Sequence, residues 1–221
     1  MKIIEPSYEI LTEINNDDIL NTIEQIARTC YKSEDKIAAG SAERMIGMLI
    51  KNEHEAMIEF FDITVKFIHN RGFSHEMVRH RLCSFAQEST RYCTYSDDKF
   101  GKEITVIKPY WLAEVYAKDL RFSEREGLIR PDHEMWLKSV EQAEYSYFQM
   151  LNLGLQPQAA RGVLPNDLKT EINVKANLRE WRAIFKLRCA PAAHPDMRRV
   201  MIPLLHDLKK KIPVVFDDID Y

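Results

Sequence analysis

The apolar positions of the chain change period several times, and each change predicts an element. "DDILNTIEQIARTCY" places Ile19, Ile23, Ile26 and Cys30 on one stripe at helical spacing. "SAERMIGMLIKN" repeats that spacing, with Met45, Ile46, Leu49 and Ile50 inward and Ser41 as the expected N-cap. "FDITVKFI" then alternates: Phe61, Ile63, Val65 and Phe67 stand against Asp62, Thr64 and Lys66, which predicts a half-buried strand. "GFSHEMVRHRLCSF" reads as helix again, with Ser74 as its expected cap, whereas the β-branched and aromatic "STRYCTY" and "EITVIKP" read as strands.

The longest helix is expected in "PDHEMWLKSVEQAEYSYFQMLNLG", opened by Pro131 and stopped by Gly154, with Met135, Trp136, Val140, Ala143, Tyr147 and Leu151 inward. A short helix follows from near Pro157 and ends before Pro165. "LKTEINVKA" alternates, with Leu168, Thr170, Ile172 and Val174 on one face. Asn177 with Glu180 three residues on is a capping-box pattern at the start of "NLREWRAIFKLR". A last helix is expected from Pro195 to about Lys211, with Pro203 inside it, before an exposed acidic tail, "FDDIDY". Helices and strands mix without a regular βαβ alternation, which predicts an α+β fold, a mixed or antiparallel sheet with packed helices, in a single domain over 1–221. Periodicity is weakest over 97–130, the expected variable flap.

Composition narrows the function. Hydrophobic residues are 45% of the 221, enough for a packed core, and the net charge of −3 argues against a general nucleic-acid binder. Any anion site must therefore be local. Cys30, Cys83, Cys93 and Cys189 share no C-x-x-C spacing, and the histidines have no metal-type spacing, so no metal is expected. The N-terminus reads as neither signal peptide nor membrane anchor, and cytoplasmic residence follows as the default. No G-x-G-x-x-G or G-x-x-x-x-G-K-[ST] cradle occurs.

Local positive charge is concentrated in "RHRLCSFAQESTRY". Arg79, His80 and Arg81 are consecutive, Arg91 follows, and Arg161, Arg179 and Arg188 form a second set. Arginine grips phosphate in a planar fork. Neighbours on a helix point about 100° apart, so a helical triplet would not converge on one ligand. A solvated helix face with Glu76 paired to Arg79 or His80 is the plain alternative. Ser84 and Ser89 lack a G-x-S-x-G elbow, and a hydroxyl contact to phosphate or ribose suits them better than covalent catalysis.

"RHRLCSFAQES" resembles the R-H-R-x7-S signature of the flavin-dependent thymidylate synthases, with Arg79, His80, Arg81 and Ser89 at the defined positions. "FSHEMV" before it, "STRY" after it, Ala160 to Pro165 as A-R-x-V-L-P, and Asn177, Arg179, Leu187 and Arg188 as N-x-R-x7-L-R extend the resemblance over roughly residues 20 to 200. It implies reductive methylation of dUMP to dTMP, with 5,10-methylenetetrahydrofolate as carbon donor, FAD as redox carrier and NADPH as usual hydride source. It also implies a homotetramer with active sites shared between subunits, and neither nucleic acid nor membrane as partner.

The roles implied by the resemblance are concrete. Arg188 is the expected catalytic residue, at the pyrimidine ring. Glu76, Met77, Val78, Arg79, Gln87, Glu88, Ser89, Thr90, Arg91 and Arg161 are the expected dUMP contacts. His54, Ala56, Arg79, His80, Arg81, Gln87, Asn177, Leu178, Arg179 and Ala183 are the expected FAD contacts. Ser89 is then a substrate ligand, with no covalent bond to the pyrimidine. The chain departs from the family where H-x-S-P-x-E-H becomes "HEAMIEF", which substitutes Ala56, Met57 and Phe60, and where Ala183 replaces an Asn or His. A fold of this family without turnover, and a phosphate- or RNA-binding module, are the competing readings; the acidic balance and the lack of aromatics among the cations weigh against the second.

Overall fold

The computed structural model describes residues 1–92, Tyr95, 101–112 and 131–221. Along the chain come β1 (Lys2–Ile4), β2 (Ser7–Ile10), α1 (Asn16–Thr29), α2 (Ser41–Lys51), β3 (Asp62–Asn70), α3 (Arg71–Met77), β4 (Ser84–Gln87), β5 (Thr105–Ile107), α4 (Pro131–Asn152), α5 (Pro157–Ala160), β6 (Lys169–Asn177), α6 (Leu178–Arg188), α7 (Pro195–Lys211) and α8 (Pro213–Phe216). A 3-10 turn spans Glu55–Phe60. An antiparallel sheet has the order β2-β3-β6-β4, while β1 and β5 pair in parallel with Lys2 opposite Thr105. The expected α+β class is what the chain adopts. The alternation read in β3 and β6 holds: Ile63, Val65, Phe67, Ile172 and Val174 are fully buried.

The chain divides into two compact units. One comprises Met1–Ser7, Ile68–Met77 and Gln87–Ile172; the other comprises Tyr8–Phe67, Val78–Ala86 and Asn173–Tyr221. In the first unit, Tyr95, Ile104, Val106, Val140, Tyr147, Ala160 and Leu168 make the core, with the Tyr95 and Tyr147 rings edge to face at 5.8 Å. The stripe expected on α4 is rotated. Met135 is 63% exposed, while His133 and Leu137 are buried with Val140 and Tyr147. The indole of Trp136 donates to Asp167 Oδ2 at 2.7 Å, and that polar anchor sets the rotation of the helix more firmly than a thioether can.

In the second unit, Trp181 stacks on Phe185 with ring centroids 5.6 Å apart, and Phe185 meets Phe216 edge on. The Trp181 indole donates to the Ile63 carbonyl at 3.0 Å, which ties α6 to β3. Beside this aromatic core lies a buried guanidinium. Arg182 is 1% exposed; it donates to Glu55 Oε1 at 2.9 Å, to Asp218 Oδ1 and Oδ2 at 2.6 and 2.7 Å, and to the Val215 carbonyl.

Several local expectations give way to these tertiary contacts. The acidic tail is not simply exposed: Phe216 and Ile219 are buried and Asp218 grips Arg182. Cys30 is exposed and Ile26 only half-buried, because α1 turns Leu20 and Ala27 inward instead. Gly40, at a left-handed φ of 70°, takes the cap position of α2, and Ser41 becomes the first helical residue. The Ser41 hydroxyl accepts from Ala38 N at 2.9 Å and donates to Glu24 at 2.8 Å. The helix expected over "GFSHEMVRHRLCSF" stops at Met77, since Ser84–Gln87 joins the sheet as β4 beside β6, and Ser74 lies within α3 rather than capping it. Of "STRYCTY", Ser89 to Tyr92 and Tyr95 form no strand, and Cys93 and Thr94 lie outside the described residues. So does most of the expected flap over 97–130, although 101–112 are described and contain β5.

Removing Arg182 would leave Glu55 and Asp218 without their shared partner in the second unit. Arg182→Ala is expected to cost about 3 kcal/mol, the lower end for breaking a buried pair, because Asp218 keeps access to water. Urea unfolding measures it, and a loss within error of zero would contradict the structural role. The hydrogen bond from Arg182 holds the Asp218 carboxyl below its ordinary pKa. Its stabilisation is therefore present above the usual carboxylate range and is lost as pH falls through the depressed value.

Candidate active site

In the second unit the site is built on α6. The Asn177 side chain accepts from Glu180 N at 2.8 Å, which ends β6 and starts the helix as the capping pattern predicts. Leu178, Trp181, Ile184 and Phe185 face the core fully buried, while Arg179 and Ala183 are exposed and Arg188 is half-buried. Glu180 does not close the box onto the cap. Its carboxylate faces His80 instead, with Oε1 3.5 Å from Nδ1.

The Arg79-His80-Arg81 triplet lies in the turns between α3 and β4, not on a helix. Released from helical geometry, it divides its work. Arg79 and Arg81 are exposed to solvent, and His80 turns inward. Arg188 Nε donates to His80 Nε2 at 2.9 Å across 108 residues of sequence. Burial, and secondarily the Arg188 charge, push the His80 pKa down to about 4, so its imidazole is neutral at physiological pH. Burial raises the Glu180 carboxyl, and burial with the Glu180 charge pushes the neighbouring Cys83 thiol up to about 12.

Arg179 Nη1 donates to Glu59 Oε1 at 2.6 Å, and that bond raises the already high Arg179 pKa. His54 and Ala56, at the start of the 3-10 turn, are exposed. Leu178 is fully buried and its backbone N–H donates to the Phe61 carbonyl at 3.0 Å, so the structure does not bring this expected contact to the surface. Among the expected contacts, the unit thus offers the exposed guanidiniums of Arg79, Arg81 and Arg179, and small residues at Ala56 and Ala183. This donor chemistry suits a diphosphate-bearing group with a flat ring.

The first unit holds the rest of the expected dUMP loop. Gln87 Nε2 donates to Ser74 Oγ at 2.9 Å and Thr170 Oγ1 at 3.1 Å. Glu88 is held twice, by its backbone N–H to the Glu171 carbonyl and by Lys169 Nζ at 3.2 Å. The Ser89 hydroxyl accepts from Arg91 N at 3.3 Å, and among the described residues no histidine or carboxylate hydrogen-bonds it as an activating base would. Arg91 lies exposed over the Tyr92 ring. Arg161 Nη1 donates to Thr90 Oγ1 at 3.1 Å. Both border a cavity of about 330 Å³ that is also lined by Arg71, His75 and Asn166. Arg71 thus brings a further guanidinium to the cavity wall, and its Nη1 is buried with no hydrogen-bond partner among the described residues.

Of the expected contacts, Met77 is fully buried, Val78 is exposed and Glu76 half-buried. Sequence reasoning missed Arg71 and His75, which share a helical face at i, i+4 one turn before the triplet. That spacing was the available signal. Among the described residues no group of three or more His, Cys, Asp or Glu side chains is placed to hold a metal, and no helix is long and apolar enough to cross a membrane.

Residues 11–214 match the family model described as thymidylate synthase complementing protein. The chain is 30% identical over 215 residues to the flavin-dependent thymidylate synthase of Corynebacterium aurimucosum, covering 89% of this chain and 78% of that one. It is 27% identical over 200 residues to the enzyme of the same name from Geobacter sulfurreducens, covering 87% and 78%. Among solved structures, the UMP/dUMP methylase PolB from Streptomyces cacaoi, bound with 5-Br dUMP, superposes with a TM-score of 0.72 at 22% identity over 98% of this chain and 96% of that one, a likeness of fold.

The buried, acid-flanked setting of His80 and Cys83 is directly testable. Exposed Cys30 is expected to react promptly with iodoacetamide at pH 8, and Cys83 to lag far behind it, because only the thiolate reacts. Peptide mapping by mass spectrometry reads both rates, and equal alkylation would contradict this environment.

Proposed function

The chain belongs to the flavin-dependent thymidylate synthase family, and from that premise we propose that it methylates dUMP reductively to dTMP, with 5,10-methylenetetrahydrofolate as carbon donor, FAD as bound redox carrier and NADPH as hydride source. The observation that carries this reading is the hydrogen bond from Arg188 to His80, which joins the signature triplet to the downstream helix in one site. FAD, when bound, supplies the redox chemistry; Arg79, Arg81 and Arg179 would hold its diphosphate, with His80, His54, Ala56, Ala183, Gln87 and Asn177 as further contacts.

The protein's own residues supply orientation and charge. A guanidinium at the pyrimidine, as proposed for Arg188, favours the ring's anionic form. Arg91, Thr90 and Arg161 would receive the dUMP phosphate, with Arg71, which lines the same cavity as Thr90 and Arg161, completing the anion site. Ser89 would contact the nucleotide as a hydrogen-bonding group, alongside Gln87, Glu88, Arg79 and the Glu76–Val78 segment. The proposed assembly is a homotetramer with shared active sites, working in the cytoplasm.

The purified protein should be yellow, or become so on adding FAD, with a flavin absorbance that dUMP perturbs; a colourless protein that takes up no FAD would contradict the proposal. Ser89→Ala is expected to keep measurable turnover and Arg188→Ala to lose most of it in a dTMP-formation assay, and a folded, dUMP-binding but inactive Ser89→Ala protein would reverse that assignment. Arg71→Leu should raise the KM for dUMP by roughly tenfold, the order expected for one charge-assisted hydrogen bond, with kcat little changed. An unchanged KM would remove Arg71 from the anion site.

A further inference from the structure

His80 lies between two groups on α6, and each constrains one of its ring nitrogens. Arg188 Nε–H can only donate, because a guanidinium has no acceptor and does not lose its proton. At 2.9 Å it requires a lone pair on His80 Nε2. A neutral imidazole with its lone pair at Nε2 carries its proton on Nδ1. That N–H faces Glu180 Oε1 at 3.5 Å, long for a hydrogen bond but close enough for a carboxylate to favour the N–H dipole. The side chains of His80 and Glu180 are only 10% and 12% exposed, so water screens this contact little. Glu180 and Arg188 are eight residues apart, roughly 12 Å along the helix axis, and the imidazole spans the gap between their side chains.

We propose that Glu180 is a positioning residue: it holds His80 as the Nδ1–H tautomer, and His80 in that form fixes the plane and direction of the Arg188 guanidinium. The proposal rests on the reading that Arg188 faces the pyrimidine. Without the acceptor at position 180, the imidazole is free to place its proton on Nε2. An Nε2–H group cannot accept from Arg188 Nε, so that hydrogen bond breaks and the guanidinium loses the contact that sets its plane from the His80 side. The substrate phosphate ligands are untouched, so the loss falls on turnover and not on dUMP binding. Glutamine at position 180 keeps an acceptor oxygen at about the same reach, whereas alanine does not.

The test uses the full-length, FAD-loaded protein labelled with 15N-histidine. Long-range proton–nitrogen correlations report which ring nitrogen carries the proton, and the signal absent from His80→Gln identifies His80. The parent protein is expected to show an unprotonated Nε2. Glu180→Ala is expected to show mixed or reversed tautomers, with kcat lower by on the order of tenfold to a hundredfold, while the KM for dUMP and the FAD content hold. Glu180→Gln is expected to keep the parent tautomer and a kcat near the parent value. An Nε2-protonated His80 in the parent protein overturns the proposal. So does a Glu180→Ala protein that keeps either its tautomer or its kcat, or a Glu180→Gln protein as impaired as Glu180→Ala. Arg188→Ala separates this from the underlying reading. Parent-level kcat there overturns the catalytic role of Arg188 itself. An inactive Arg188→Ala with an altered tautomer but parent kcat in Glu180→Ala overturns the positioning role alone.

Discussion

A guanidinium buried beside a tryptophan is the constraint on which much of the second unit depends. Arg182 cannot shed its charge, so every N–H taken from water needs an oxygen in its place. The oxygens come from three parts of the chain: Glu55 in the 3-10 turn, the Val215 carbonyl in α8 and Asp218 in the tail. Satisfying one side chain therefore draws these segments onto α6. The 3-10 turn carries His54, Ala56 and Glu59, and Glu59 takes Arg179 from the exposed side of the same helix. A structural ion cluster thus sets where the proposed flavin contacts stand.

Helix α6 accordingly serves two purposes from two faces. Its apolar face, Leu178, Trp181, Ile184 and Phe185, is spent on the core, and Arg182 on the buried ion cluster. The remaining positions carry Arg179, Glu180 and Arg188, the side chains available for ligand and for the His80 contact. Positive charge here is local, within a protein of net charge −3, and much of it is held in defined directions by partners rather than left to sample rotamers. Fixed direction matters for catalysis, since a charge already oriented toward a developing anion needs no reorganisation when the anion forms.

Much of the fold was legible along the chain because its elements bury one face and keep the other wet. β3 and β6 could be read from strict alternation, and α6 from an Asn cap followed by a helical stripe. The legible part of the site was the signature itself, whose residue types and spacing sufficed to place the chain in its family. What failed was local inference where a distant partner decided the outcome. Met135 and Leu137 are both plausible inward residues on α4, and Asp167 chooses between them by holding the Trp136 indole. "RHRLCSF" has helical character, yet β6 recruits Ser84–Gln87, which begins within it, as a strand, so the triplet is left in turns.

The sequence by itself determined element type, fold class, family and the identity of the chemistry-bearing residues, because those follow from side-chain type and near-neighbour spacing. Only the tertiary structure decided that Glu180 turns from the expected capping role toward His80, that His80 meets Arg188, and that Arg71 lines the same cavity as Arg161. These depend on contacts between residues far apart in the chain, whose geometry is set by which apolar faces pack together. Spacing along the sequence carries no record of that choice.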